Sequence, residues 1–294
     1  MNGPQPRLVA PPGTCDCHIH IFGSRERFPL AGDLAYTPAE ASVENYRELQ
    51  RRLGLQRAVV VQPSVYGTDN ACTLEAIARL RPHARGIAVV DPAVSDAKLA
   101  ELHAAGIRGL RFSLTVKNAM RLEHLEPMAR RIHPLGWHIQ FRSTHRDLPE
   151  VAARLRALPV DVCLDHMSSI PPEAPLDHPA WTALFRLLDG GRCWVKLSAP
   201  YQLSRMPGPQ YADFGPQVAA LVRAAPERMV WGTNWPHPMV GTKPDDAGLL
   251  DWLGMWVPEE SLRRAILLEN PAALYDFRES HNQGPTRPRL DAEA

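Results

Sequence analysis

The feature that most constrains this chain is an eightfold alternation of short apolar runs with amphipathic stretches. The runs fall at 14–22 (TCDCHIHIF), 57–63 (RAVVVQP), 85–91 (RGIAVVD), 107–114 (IRGLRFSL), 137–143 (WHIQFRS), 160–167 (VDVCLDHM), 193–200 (CWVKLSAP) and 228–236 (RMVWGTNWP). Between them, stretches such as NYRELQRRLGL, DAKLAELHAAG and LPEVAARLRALP repeat apolar residues at helical spacing. Several runs are almost continuously apolar, as parallel strands buried on both faces are. Gly54, Gly106 and Gly136 stand where helices end. Eight such units in 294 residues predict an α/β fold of the (β/α)8 TIM-barrel type, which typically takes about 250 residues. A doubly wound open sheet is the competing architecture, but no Gly-x-Gly-x-x-Gly follows the first run.

The expected organisation is a flexible Pro-rich arm at 1–13, one barrel domain at 14–278 and a polar, disordered tail at 279–294. The 22–43 stretch, with Pro29, Gly32 and Pro38, is long for a strand-to-helix loop and is expected to fold over the barrel mouth. Net charge is +1, so no electrostatic field for nucleic acid or membrane surfaces is present. No apolar run is long enough to span a bilayer and the N-terminus lacks a secretory pattern, which predicts a cytoplasmic protein. Five scattered cysteines (15, 17, 72, 163, 193) read as buried reduced thiols. Cys15-x-Cys17 has parity opposite to that of His18 and His20, and burial outweighs metal ligation as its reading.

Two motifs carry the chemistry. Asp16-Cys17-His18-Ile19-His20 closes the first run, and period-2 alternation puts both imidazoles on one face. Two such rings can bind a metal, hold an anion or polarise a carbonyl. Gly232-Thr233-Asn234-Trp235-Pro236-His237 closes the eighth run. In a barrel, function sits at the C-terminal strand ends. Those ends here carry His18, His20, Gln62, Ser64, Asp91, Arg111, Gln140, Arg142, Asp165, His166, Lys196, Ser198, Asn234 and His237. So many polar residues capping apolar strands point to a catalytic mouth.

These motifs, with Gln62-Pro63-Ser64-Val65-Tyr66-Gly67 and Asp165-His166-Met167, resemble the amidohydrolase superfamily over residues 14–277. Within it the chain is most similar to the branch of 2-pyrone-4,6-dicarboxylate lactonases and related sugar and muconolactone lactonases. The resemblance implies a hydrolase in which His18, His20 and His166 surround and polarise a lactone carbonyl. It places Asn234 where the water-activating Asp stands. It implies that Arg111 and Lys117 bind a substrate carboxylate, and that Tyr36 and Ser64 hydrogen-bond the substrate from overlying loops. Gln140 and Gln202 complete the expected substrate-binding set with His237.

Two positions depart from the family pattern. Asn234 cannot accept a proton at neutral pH, and loss of a general base typically costs ~10²–10⁴ in rate. His237 is a candidate replacement base. Asn234 also favours a site without metal, while leaving open a single divalent ion at His18, His20 and His166. Gln202 stands where dicarboxylate-binding relatives carry Arg, which points to a substrate with fewer negative charges or differently placed ones.

Each residue also has a structural reading. Asp165 serves equally well as an orienting or capping group. Lys117 reads equally as a solvated loop lysine, and Lys196 as a barrel-interior residue paired with an acid. Arg142 and His145 match nothing decisive, and His103, His124, His133 and His138 read as fillers away from the mouth. The expected partner is a small carboxylate, with homodimerisation through outer helices as an option. The functional expectation is hydrolytic opening of a small carboxylated lactone. Its rivals are a metal-dependent decarboxylase or hydratase of a small unsaturated or aromatic acid, and a silent carboxylate binder.

Overall fold

The computed structural model describes residues 3–32, 36–116 and 120–277. Strands β1 (Cys15–Ile19), β2 (Arg57–Val61), β3 (Ala84–Ala88), β4 (Ile107–Ser113), β5 (His138–Arg142), β6 (Val162–Leu164), β7 (Cys193–Ser198) and β8 (Met229–Gly232) form one parallel sheet in sequence order. Helices α1 (Val43–Leu53), α2 (Ala71–Leu80), α3 (Asp96–Ala105), α4 (Leu125–Ile132), α5 (Leu148–Ala157), α6 (Pro179–Asp189), α7 (Gly215–Ala224) and α8 (Asp246–Trp256) alternate with the strands. The expected (β/α)8 barrel is the fold. No helix among the described residues is long and apolar enough to cross a membrane.

Local signals account for the helices. In α1, the Ser42 side chain accepts the Asn45 N–H while Asn45 reaches back to the Ser42 N–H, satisfying two N-terminal donors reciprocally. Val43, Tyr46, Leu49 and Leu53 are the buried face of that helix, each side chain adding roughly 1.5–3 kcal/mol by burial. The helix stops at Gly54 with φ 73°, a left-handed conformation that only glycine adopts without steric cost.

One apolar layer lies between helices and strands. A second fills the barrel with Cys15, Cys17, Val59, Val61, Ile87, Cys163 and Val230, and packs against Leu274 and Tyr275 of the last helical segment and Phe277 just beyond it. All five cysteines are buried and free, and burial pushes the Cys17 thiol well above its ordinary range. The parity argument for these thiols fails for a specific reason. The β1–β2 register shifts between Asp16 and Ile19, so an irregularity turns Cys17 and His18 to the same side of the sheet.

Strands β6 and β8 are shorter than the sequence runs suggested. After Leu164 the chain enters a left-handed turn with φ near +50° at His166, Met167, Ser168 and Ser169. Each such non-glycine residue costs roughly 1–2 kcal/mol. Consecutive residues Asp165 and His166 therefore both reach the barrel mouth, which an extended strand forbids. The 22–43 loop is pinned by mutual backbone bonds between Phe22 and Ala41 and by Ala31 N–H to the Val65 carbonyl. Residues 3–13, expected as a loose arm, lie along α8 and α1, with the Arg7 and Leu8 N–H groups on Asp251 and Arg52 on the Pro4 carbonyl. The expected tail at 279–294 lies outside the described residues.

One side chain ties together the seam between the first and last strands, beside backbone bonds that also cross it. The Asp16 carboxylate accepts from the Thr233 N–H at 2.9 Å, the Thr233 hydroxyl at 2.6 Å, the His18 N–H at 3.2 Å and the Tyr46 hydroxyl at 3.4 Å. Backbone bonds from Asn234 N–H to the His18 carbonyl and from His20 N–H to the Trp235 carbonyl complete the seam. Gly232 permits this approach, because a Cβ there would lie 2.8 Å from the His18 nitrogen.

Burial pushes the Asp16 carboxyl up to about 7, against the lowering effect of its bonds from Thr233 and His18. The folded chain thus holds this proton more tightly than the unfolded chain. The resulting stabilisation is full below pH ~4 and is lost as pH rises through about 7. Calorimetric melting at pH ~5 and pH ~8 is expected to show a larger fall for the native chain than for Asp16→Asn. Equal falls would rule out Asp16 as the titrating group.

Candidate active site

The C-terminal ends of the strands converge on His18, which is wholly buried. Its Nε2 lies 3.3 Å from Nε2 of His20, and its Nδ1 lies 3.3 Å from both Lys196 Nζ and Asp165 Oδ1. The tautomers follow from the partners. His20 Nδ1 faces the Val61 carbonyl at 2.8 Å and must donate to it. Its Nε2 is then an acceptor, so His18 donates from Nε2 and accepts the Lys196 ammonium on Nδ1. Asp165 Oδ1 has no hydrogen-bond partner in consequence. Burial holds His18 well below its ordinary range, with Lys196 adding to the effect. His20 falls to about 3, by burial and then Arg111. Both rings are neutral near pH 7.

Asp165 is the carboxylate of the mouth. Gln140 donates to its Oδ2 at 3.1 Å, Arg111 stands 3.7 Å from Oδ2 and Lys196 stands 3.5 Å from Oδ1. Burial alone pushes this carboxyl up, but His18, Lys196 and Arg111 outweigh it and hold it well below its ordinary range. Since His18 is neutral, the cations are the effective partners. Lys196 is wholly buried and donates to Gln140 Oε1 at 2.7 Å. Both ends of the Gln140 amide are therefore committed to Lys196 and Asp165. His166 bonds Ser198 Oγ through Nδ1 at 2.7 Å, and its ring centroid lies 4.7 Å from that of His18.

Arg111 also donates to the Gln62 carbonyl at 3.0 Å. Burial raises the Tyr36 hydroxyl above its ordinary range, against the lowering effect of the Arg111 charge and of Ser64. Arg142, set aside in the sequence, comes into view: it donates to Gln202 Oε1 at 3.0 Å, and its NH1 is buried without a hydrogen-bond partner among the described residues. Burial lowers this guanidinium to about 10. Asn234 is 2% exposed and donates from Nδ2 to the Tyr201 hydroxyl at 2.8 Å. His237 is held between that hydroxyl, 3.0 Å from Nδ1, and Asp246, 2.8 Å from Nε2. Of the remaining strand-end residues, Gln62 ties the 67–69 loop through its amide, and Asp91 caps a turn at the Ala93 N–H. Lys117 lies outside the described residues. Sequence reasoning left Asp165, Lys196 and Arg142 in reserve and did not weigh Tyr201 or Asp246. Asp165, Lys196 and Arg142 carried the strand-end signal, and Asp165 also belonged to the Asp165-His166-Met167 motif, whereas Tyr201 and Asp246 carried none.

His18, Asp165 and His166 each bring a ligand atom within 4.8 Å of the others, a grouping that can hold a metal ion. The expected trio had His20 in place of Asp165. The donor set does not suit a divalent cation here. The Lys196 ammonium lies against both His18 Nδ1 and Asp165 Oδ1, and Arg111 stands on the other carboxylate oxygen. A dication would add a third cationic centre to one carboxylate.

An eight-stranded barrel whose mouth joins neutral imidazoles, one buried carboxylate and several cations has the polar strand ends of a barrel enzyme. A family model for amidohydrolases matches residues 15–277, and the chain belongs to that family. It is 35% identical over 287 residues to a 2-pyrone-4,6-dicarboxylate hydrolase of Comamonas testosteroni, covering 93% of each chain. It is 32% identical over 275 residues to a 4-sulfomuconolactone hydrolase of Hydrogenophaga intermedia, covering 92% of this chain and 90% of that one. A ligand-free crystal structure from Agrobacterium tumefaciens superposes with TM-score 0.85 at 30% identity, covering 93% of this chain and 99% of that one.

Removing the Lys196 charge leaves Asp165 buried with weaker compensation. Lys196→Met is expected to lose about 3–5 kcal/mol of stability. Lys196→Met with Asp165→Asn should recover a large part of that loss. Denaturant unfolding of the two single variants and the double variant checks this, and strict additivity would show that the charges are not coupled.

Proposed function

We propose that this amidohydrolase opens a small carboxylated lactone by attack of water at the barrel mouth. The observation that carries the reading is the pairing of neutral, buried imidazoles with two guanidinium groups on adjacent strands. Arg111 and Arg142 sit two positions apart on neighbouring ladders, Arg111 opposite Gln140 and Ser113 opposite Arg142. They supply the positive field for a substrate carboxylate. Similarity to hydrolases of a pyrone dicarboxylate and of a sulfomuconolactone supports a lactone carrying an acidic group.

His166 supplies the N–H donor for the oxygen that becomes negative during attack: with the Ser198 hydroxyl donating to Nδ1, the His166 proton lies on Nε2. The His18 N–H is committed to His20 and fixes that ring beside it. The His166 N–H stabilises charge by a preorganised hydrogen bond, which needs no reorganisation as the oxyanion forms. Asn234 positions the attacking water, and Tyr36 with Ser64 borders the substrate on the β1–β2 side. The chemistry runs without a metal, since Lys196 provides the cation that fixes His18 and Asp165.

Ultraviolet-monitored hydrolysis of a panel of pyrone and muconolactone carboxylates tests the reading, with protein dialysed against a chelator. Full turnover without metal is expected. Turnover that appears only with one metal per chain, on an unsaturated or aromatic acid, would move the assignment to decarboxylation or hydration. In the lactonase case, His166→Gln is expected to lower kcat ~10²–10³-fold. Arg111→Gln is expected to raise KM more than it lowers kcat.

A further inference from the structure

On the lactone-opening reading the Asn234 carboxamide stands where a proton leaves the attacking water, and an uninterrupted chain of hydrogen bonds starts at that carboxamide. Asn234 Nδ2 donates to the Tyr201 oxygen at 2.8 Å. The Tyr201 hydroxyl stands 3.0 Å from His237 Nδ1, and His237 Nε2 stands 2.8 Å from Asp246 Oδ1. The direction of the chain is set by its end. A carboxylate only accepts, so His237 carries its proton on Nε2, its Nδ1 accepts from Tyr201, and the Tyr201 oxygen accepts from Asn234. The Asn234 Oδ1 is thereby left as an acceptor toward water. Asn234 and His237 both have φ 63°, a conformation that non-glycine residues hold only where their surroundings impose it.

We propose that Tyr201, His237 and Asp246 form the proton-accepting relay that replaces the carboxylate absent at Asn234. The inference rests on the lactone-opening reading above. The attacking water donates one hydrogen bond to Asn234 Oδ1; as its oxygen bonds to the carbonyl carbon, its other proton passes to the remaining lone pair of the Tyr201 oxygen while the Tyr201 proton passes to His237 Nδ1. Asp246 stabilises the imidazolium that forms. When the ring C–O bond breaks, the proton returns along the same path to the departing oxygen, so that no net proton is taken up. Burial raises Tyr201 above the usual phenol range, which keeps it a neutral hydroxyl able both to donate and to accept.

The outer end of the relay meets a 620 Å³ cavity lined by Asn45, Arg52, Trp235, His237, Lys243 and Asp246. Arg52 lies 3.6 Å from the second Asp246 oxygen. Glu48, Asp245 and Lys243 share the same cavity. The charged groups facing the His237–Asp246 pair thus come from α1, from α8 and from the loop before it, and the relay opens to water on that side. Asp246 orients His237 and is a positioning residue.

The test is a kinetic cycle between Tyr201→Phe and Asn234→Asp. Tyr201→Phe alone is expected to lower kcat ~10²-fold or more with KM little changed, the usual range for a lost acid–base group. In the Asn234→Asp background, where a carboxylate can take the proton directly, the same change is expected to cost less than about 5-fold. An equal loss in both backgrounds would make Tyr201 structural and overturn the relay. Nitrogen-15 spectra of His237 give a reading independent of substrate. A ring protonated on Nε2 and free on Nδ1, with Nδ1 perturbed by Tyr201→Phe, supports the relay, whereas a proton on Nδ1 overturns it. Absence of lactone turnover in every variant would reject the substrate class, and the spectra alone would then decide whether the relay exists.

Discussion

The Asp16 carboxylate, buried between the first and last strands, holds together what the rest of the structure uses. Strands β1 and β8 are the farthest apart in sequence of any neighbouring pair in the barrel, so their closure carries the greatest chain-entropy cost. Three of its bonds come from Thr233 and from the His18 backbone, beside the residues that form the mouth. Gly232 lets the two backbones approach, and the seam fixes His18, His20 and Asn234 relative to one another. A barrel with a looser seam would still bury its apolar layers, but it would not hold the imidazoles in one arrangement.

Inside that frame the dominant force is a buried charge pattern. Desolvating Asp165 and Lys196 is expensive, and the arrangement survives because each charge has several partners. Lys196 meets Gln140, His18 and Asp165, while Asp165 meets Gln140, Arg111 and Lys196. The result for the chemistry is that His18 and His20 stay neutral, because burial desolvates them and the site is already cationic. Neutral rings with fixed tautomers act as oriented dipoles. On the proposed function, the same positive field that keeps them neutral would attract an acidic substrate, making electrostatic stability and substrate selection two effects of one cluster.

The strand ends of β6, β7 and β8 share a further device. His166, Ala199, Asn234 and His237 all occupy left-handed backbone conformations. Each turn redirects the chain as it leaves the sheet, and after β6 it lets the sequence neighbours Asp165 and His166 face the mouth together. Such strain is tolerated where neighbours over-determine the conformation. Here Ser198 holds His166, and Tyr201 holds both Asn234 and His237.

The alternation of apolar runs with amphipathic helices was enough to determine the barrel. Burial on both strand faces and a 3.6-residue helical period are local patterns that a sequence displays directly. The His18 and His20 pair, His166 and Arg111 were legible for a related reason, since polar residues at the ends of apolar strands have no place in a core. The tertiary structure alone decided the rest. Asp165 and His166 face the same centre only because of a left-handed turn that their side chains do not announce. Cys17 and His18 share a side only because of an irregularity in β1. Tyr201, His237 and Asp246 meet across two loops and a helix terminus, and no sequence period relates them. Asn234 was readable as a missing base, but what stands behind it depended on long-range packing, which brings together groups that the chain keeps apart.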